Sequence, residues 1–259
     1  MRLTPSSPWA LTALLAAGLA LAGAPASTAG PSPVPAPASP DASASRTDVG
    51  LEERLGQAAP RLDRRVLRRA LDATACAAAQ GLSRRDDVLT VIDYSLASTT
   101  PRLWVFDLER GTLLWEELVA HGKNTGDNYA RRFSNVEGSK QSSVGLFRTG
   151  ETYWGKNGYS LKLHGLEKGV NDLALPRTIV IHGAPYVSQA FARQHGRLGR
   201  SWGCPALTQE AATPVIDRIK NGSLVFVDYP EQTWLASSSF LAGGCGGGGG
   251  GTTTALAAR

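Results

Sequence analysis

Residues 177–207 read RTIVIHGAPYVSQAFARQHGRLGRSWGCPAL, a β-branched run that stops at a histidine, followed by a glycine-rich loop that delivers a cysteine. Thr178-Ile179-Val180-Ile181 has the composition of a buried strand, because branched side chains pack well on a pleated surface. The strand ends at His182-Gly183. Residues 187–194 have helical character, and a Gly/Arg-rich loop over 196–200 leads into Ser201-Trp202-Gly203-Cys204-Pro205. His182 and Cys204 lie 22 positions apart. A thiol attacks as thiolate and needs a base or imidazolium beside it, and a strand end holds an imidazole still. The competing reading is a buried core thiol and a satisfied core histidine. Each residue, however, stands at a loop mouth beside glycine, where packing does not ask for it. Gly203 would also free the N–H groups of Gly203 and Cys204 to point at one spot, as an oxyanion requires.

The pattern extends outward. VLTVIDY from 88, RLWVFDL from 102 and LLWEELVAH from 113 read as strands, with Glu109-Arg110-Gly111-Thr112 as the hairpin turn between the last two. GLFRTG from 145, YSLKLHG from 159 and SLVFVDY from 223 read as further strands. Residues 208–220 read as a helix against which Pro214 counts. Residues 121–143 form a long polar loop, and loops of that length in a compact domain are usually functional. The expectation is a mainly β domain over 87–235, a sandwich or a barrel with a few helices.

The chain's 259 residues, 42% of them hydrophobic, suit one well-buried domain. Net charge is +5, yet no Lys/Arg run with interleaved aromatics occurs, so nucleic-acid binding is not expected. Residues 1–29 read as a signal peptide: Arg2 starts it, 10–22 is its apolar core, and Ala24-Pro25-Ala26 or Ser27-Thr28-Ala29 offers cleavage. That core is shorter than the roughly 18 residues of a membrane span, so no span is expected after cleavage. Residues 30–50 are a Pro/Ala/Ser-rich linker expected to be disordered, 51–86 a helical segment stopped near Gly81, and 236–259 a Gly-rich tail also expected to be disordered. Arg61, Arg64, Arg65, Arg68 and Arg69 should form a solvated basic face, and Cys76 should be a small buried residue. Pairing of Cys76 with Cys245 stays open; it would leave Cys204 free.

His182-Gly183 followed by Ser201-Trp202-Gly203-Cys204 resembles the His-Gly…Ser-x-Gly-Cys signature of the murein L,D-transpeptidase catalytic domain family, cysteine enzymes that cross-link peptidoglycan. The ordered set includes Val91-Ile92-Asp93-Tyr94-Ser95, Val119-Ala120-His121-Gly122-Lys123, Phe133-Ser134-Asn135, Ser142-Ser143-Val144-Gly145 and Leu163-His164-Gly165-Leu166-Glu167, and it covers residues 88–229. The resemblance implies a β-sandwich-like domain in which Cys204 forms a thioester, His182 is the base, and the Gly183 carbonyl orients the imidazole. It implies a stem tetrapeptide as donor, cut before its terminal D-alanine, and a second stem's amine as acceptor, with no cofactor.

Two residues depart from the commoner pattern, which has His at Trp202 and Arg or Asn at Ala206. Arg200 could supply the missing charge or be an exposed loop arginine. Tyr186 is expected at the substrate, and His164 either lines the cleft or is structural. His121 could be a lid residue, and His195 should be solvated. A zinc-dependent wall peptidase using these histidines is the rival reading, although no His-x-x-x-His or Cys-x-x-Cys pair occurs. A non-catalytic wall-binding module is a third. The acyl acceptor, water or amine, and the oligomeric state stay open.

Overall fold

The computed structural model describes residues 41–241 together with Cys245. Period-2 alternation sorts its central strands between two cores. In β1 (Val88–Asp93), Val88 and Ile92 join one core while Leu89 and Val91 join the other. The same division separates Leu103 and Val105 from Trp104 and Phe106 in β2 (Leu103–Asp107). In β8 (Leu224–Asp228) it separates Val225 and Val227 from Leu224 and Phe226. Every position of these three strands is buried, so each face must be covered.

The remaining strands are β3 (Thr112–Glu117), β4 (Gly145–Gly155), β5 (Gly158–Gly165), β6 (Val180–Gly183) and β7 (Ala206–Leu207). The eight make one sheet in the order β3-β2-β1-β8-β4-β5-β6-β7. Beyond β3 the chain reaches Ala120, whose N–H donates to Ala206 O at 2.8 Å while Ala206 N–H returns at 3.3 Å. The sheet's two ends are thereby stitched together and it nearly closes, a mainly β fold with a few helices as expected.

Helix α4 (Gln209–Ile219) runs through Pro214 and buries Ala211, Ala212, Val215, Ile216 and Ile219 in the first core. The second core lies under α1 (Asp41–Ala58), α2 (Arg64–Ala79) and α5 (Gln232–Ser237), which contribute Leu55, Leu67, Ala70, Ala73, Ala77 and Trp234. Each large apolar side chain so buried stabilises the fold by about 1.5–3 kcal/mol. The chain breaks at Pro60 between α1 and α2, and Asp63 caps α2 by accepting from Arg65 N at 2.7 Å.

Arg69 is not part of a solvated face. It grips Asp228 with two hydrogen bonds of 2.8 and 2.9 Å and pins α2 to the end of β8. Arg61, Arg64, Arg65 and Arg68 do lie at the surface, each paired with an acid: Glu116, Glu53, Asp63 and Glu52.

Two boundaries and the state of Cys76 differ from the sequence expectation. Helix α1 begins at Asp41, inside the stretch assigned to the linker. The last two residues of helix α5 and the buried Phe240 lie in the stretch assigned to the tail, and Phe240 joins Trp234 in the second core. Cys76 is bonded to Cys245 with Cα atoms 5.3 Å apart, so it is a cross-link rather than a lone buried thiol. The signal peptide, the first part of the linker and most of the tail lie outside the described residues. No helix among the described residues is long and apolar enough to cross a membrane.

Around the quoted stretch, β6 begins at Val180, because Thr178 has φ of 57° and cannot continue a strand. Helix α3 (Gln189–His195) is capped by Ser188, whose Oγ accepts from Phe191 N at 3.1 Å. Gly196 ends it at φ 67°, where a side chain would be strained.

Candidate active site

Strands β6 and β7 run parallel, with His182 opposite Ala206 and Gly183 opposite Leu207. Carried back two residues, this register sets Cys204 level with Val180. His182 and Cys204 both line one cleft of about 320 Å³, together with Lys156, Asn157, Thr178, Tyr186, Arg200, Ser201 and Trp202. A second cleft of about 260 Å³ reaches Cys204 as well, past Glu137, Gly138, Lys140, Arg177 and Ile179. Thr178, Trp202 and Cys204 line both, so the thiol stands where the clefts meet.

His182 is buried, and its Nδ1 lies 2.9 Å from Gly183 O. A carbonyl can only accept, so Nδ1 carries the proton and donates, and Nε2 keeps its lone pair. The ring is thereby held in the Nδ1–H tautomer by its own strand. Burial pushes its pKa below the usual histidine value, against the opposing effect of the Gly183 bond. Cys204 is a free cysteine, buried except for 9% of its surface, and Sγ–H donates to Thr178 O at 3.7 Å. Burial raises the thiol's pKa, while the Val180 and Cys204 N–H groups, Arg177 and Lys156 act to lower it. Both shifts favour the uncharged form of their group, the thiol by rising and the imidazole by falling.

The cysteine loop is built onto the polar loop 121–143. Ser201 N donates to His121 O at 3.0 Å, and Lys123 N to Ser201 O at 2.7 Å. Ser142 Oγ accepts from Gly122 N and donates to Gly203 O, each at 3.0 Å. Glycine is required at 203: φ is +130°, and a Cβ would come within 2.8 Å of Gln141 O. Ser201 Oγ donates to Cys204 O at 2.6 Å and accepts from Gly203 N at 3.1 Å. Gly203 N–H is therefore committed inside the loop and does not face an oxyanion, which leaves the Cys204 N–H from the expected pair. The reason is that Ser201, read as part of the motif, acts as the loop's internal acceptor.

Arg177 braces the same loop by donating to Ser143 Oγ at 2.6 Å, Gln141 O at 2.6 Å and Ser139 Oγ at 3.2 Å. Two lining residues, Lys140 and Thr178, hold left-handed backbone at φ 55° and 57°. Such strain costs on the order of 1–3 kcal/mol for a non-glycine residue and collects at functional sites.

Among the other expected site residues, Tyr186 lines the first cleft, and burial pushes its phenol up to about 12. Trp202 is 68% exposed on the dividing wall. Arg200 lines the first cleft, but its Nη1 donates to Asp127 Oδ1 at 2.7 Å and Gly126 O at 3.0 Å, so it ties down the polar loop. His164 lines neither cleft; it sits on β5 opposite Arg148. His121 is no lid residue. It is buried, its Nδ1 accepts from Arg102 Nη2 at 2.8 Å, and burial and the guanidinium hold its pKa down to about 3. His195 is exposed and packs at a tilt against Phe191. Among the described residues no three His, Cys, Asp or Glu side chains gather as a metal-binding group, so the zinc reading lacks a ligand set. Lys156, Asn157, Lys140, Glu137 and Arg177 were not singled out from sequence. They lie in turns and loops where nothing in the local pattern marks them.

A family model described as the L,D-transpeptidase catalytic domain matches residues 58–228. No curated protein matches the chain. Similar solved structures include an L,D-transpeptidase from Mycobacterium smegmatis, at 15% identity and TM-score 0.35, covering 55% of this chain and 59% of that one. An L,D-transpeptidase 3 from Mycobacterium tuberculosis, in complex with a faropenem-derived adduct, stands at 15% identity and TM-score 0.34, covering 55% and 60%. An L,D-transpeptidase from Stackebrandtia nassauensis stands at 15% identity and TM-score 0.35, covering 72% and 92%. The chain thus spans about three fifths of the length of the mycobacterial chains. With the model match running from the end of α1 to the end of β8, through the His-Gly strand and the Ser-x-Gly-Cys loop, the chain belongs to the L,D-transpeptidase catalytic domain family.

Proposed function

We propose that this protein is an exported cysteine acyltransferase that carries out L,D-transpeptidation on peptidoglycan stem peptides. Residues 1–29 direct export and residues 87–235 carry catalysis. The observation that carries this reading is the shared cleft of Cys204 and His182, with Nδ1–H of His182 spent on Gly183 O and Nε2 left as a base.

Cys204 Sγ attacks the peptide carbonyl between the donor's diamino acid and its terminal D-alanine while His182 Nε2 takes the thiol proton. The Cys204 N–H stabilises the oxyanion. Collapse breaks the C–N bond, the imidazolium hands its proton to the departing amine, and D-alanine leaves a thioester on Cys204. The acceptor's amine then attacks the thioester, His182 takes the amine proton and returns it to sulfur, and the new amide leaves. An amine acceptor is supported by Glu137, the one carboxylate among the residues lining the two clefts, which would attract an ammonium that sheds a proton to solvent before it attacks as the amine.

The test is intact-mass analysis of wild type and Cys204→Ala with a stem tetrapeptide, with and without an acceptor peptide, and with a carbapenem, a class that acylates the family. The expected result is a cross-linked dimer and a carbapenem adduct from the wild type and neither from the variant. Tripeptide without dimer would make the enzyme a carboxypeptidase, and an adduct on Cys204→Ala would overturn the nucleophile.

A further inference from the structure

The first cleft presents two cations, Lys156 and Arg200, and no carboxylate. Arg200 has its Nη1 committed to Asp127 and Gly126. Lys156 has no such commitment. Its contact is the indole of Trp202, with Nζ 5.4 Å from the ring centroid, and no carboxylate pairs with it among the described residues. A ring attracts an ammonium through its quadrupole and occupies none of its three N–H donors. Lys156 is therefore held in place and still able to donate.

Its position is built, not incidental. Lys156 and Asn157 form the two-residue turn between Gly155 and Gly158, which are the last register pair of β4 and β5. The Trp154 and Tyr159 rings, 5.4 Å apart, brace the hairpin just behind that turn. Lys140 makes a similar contact from the second cleft, with Nζ 4.9 Å from the same indole. Trp202, an apolar ring on the wall between two clefts, thus holds one cation in each.

We propose that Lys156, seated on Trp202, is the anchor for a carboxylate of the donor stem peptide, the role the sequence suggested for Arg200. This rests on the transpeptidase reading above. A stem tetrapeptide carries a carboxylate on its terminal D-alanine, and a second on the diamino acid when that is diaminopimelate. The shared chemistry is a carboxylate near the scissile bond, and an ammonium opposite it forms a charge-assisted hydrogen bond worth about tenfold in affinity or more.

The experiment measures equilibrium binding of three donors to the Cys204→Ala chain, with and without Lys156→Ala: the tetrapeptide acid, its terminal amide, and the acid with lysine replacing diaminopimelate. Steady-state KM and kcat are measured in the Cys204 background. Loss of binding to the amide assigns the terminal carboxylate, and loss to the lysine analogue assigns that of the diamino acid. Lys156→Ala should abolish whichever preference the parent chain shows, raise KM about tenfold with kcat little changed, and be largely rescued by Lys156→Arg. A preference that survives Lys156→Ala, or a parent chain that binds all three donors equally, overturns the anchor while leaving the transpeptidase intact. A wild type that forms no thioester from tetrapeptide overturns the function itself, and the anchor with it.

Discussion

Ser142 Oγ donates to the Gly203 carbonyl at 3.0 Å, joining the polar loop to the residue that precedes the nucleophile. The same hydroxyl accepts from Gly122 N at 3.0 Å, so one buried side chain satisfies two backbone groups. In Ser142→Ala both would be buried without partners, at a cost of about 1–3 kcal/mol. The cysteine loop should also lose its support. Urea unfolding should therefore show lowered stability, and stopped-flow acylation by a carbapenem should be slower in the folded variant. A variant as stable and as fast as wild type would remove Ser142 from this role.

The pH profile follows from the opposite shifts of the two partners. Free imidazole is the base, so protonating His182 removes activity as pH falls. Burial sets its pKa below 6.5, so the acid limb of kcat/KM should have its midpoint below that value. Above it the rate should stay level toward pH 9, because burial holds the thiol above 9.0 and ionising it does not disable a nucleophile. A midpoint above 6.5 would mean a resting thiolate–imidazolium pair instead.

Arg69 and Asp228 couple the helical layer to the sheet. Asp228 is 1% exposed and lies level with Asp93 across the β1–β8 ladder, and burial raises the pKa of both carboxyls. Removing the guanidinium in Arg69→Leu raises the Asp228 pKa further. A native carboxyl raised above its unfolded value binds more protons folded than unfolded, so stability falls as pH climbs toward the folded pKa. The penalty of Arg69→Leu, about 3 kcal/mol for a broken buried pair, should thus be smaller at pH 5 than at pH 8. Guanidinium melts at the two pH values would show it, and a pH-independent penalty would argue against a buried charge.

Thr178 has φ 57° and is exposed, with its carbonyl on the thiol. Left-handed backbone costs a residue bearing a Cβ about 1–2 kcal/mol, more than glycine's extra entropy of about 0.5–1 kcal/mol. Thr178→Gly should therefore unfold at an equal or higher urea concentration than wild type. Marked destabilisation would show that the threonine side chain contributes contacts worth more than the strain.

The sequence alone determined what is written locally. Short apolar runs rich in branched side chains, VLTVIDY and SLVFVDY, placed buried strands, because such side chains pack well on a pleated surface. His182 at a strand end and Cys204 behind Gly203 were legible for the same reason: strand boundaries and left-handed glycines are local properties. The Gly183 carbonyl, to which the family resemblance pointed, is the next residue in the chain and accepts from His182 Nδ1. What only the tertiary structure decided are the partners of side chains far apart in sequence. Closing the sheet from Ala120 to Ala206 brings the polar loop under the cysteine loop, and there Asp127 and Gly126 take Arg200 while Ser142 donates to the Gly203 carbonyl. The same closure leaves His121 as buried support and His164 outside the clefts, although both are followed by glycine, as His182 is. Lys156, Lys140 and Arg177 meet Cys204 through a hairpin tip and two strained turns, and Cys76 meets Cys245 across 169 positions. No local period encodes such meetings, because they depend on which strand edges pair.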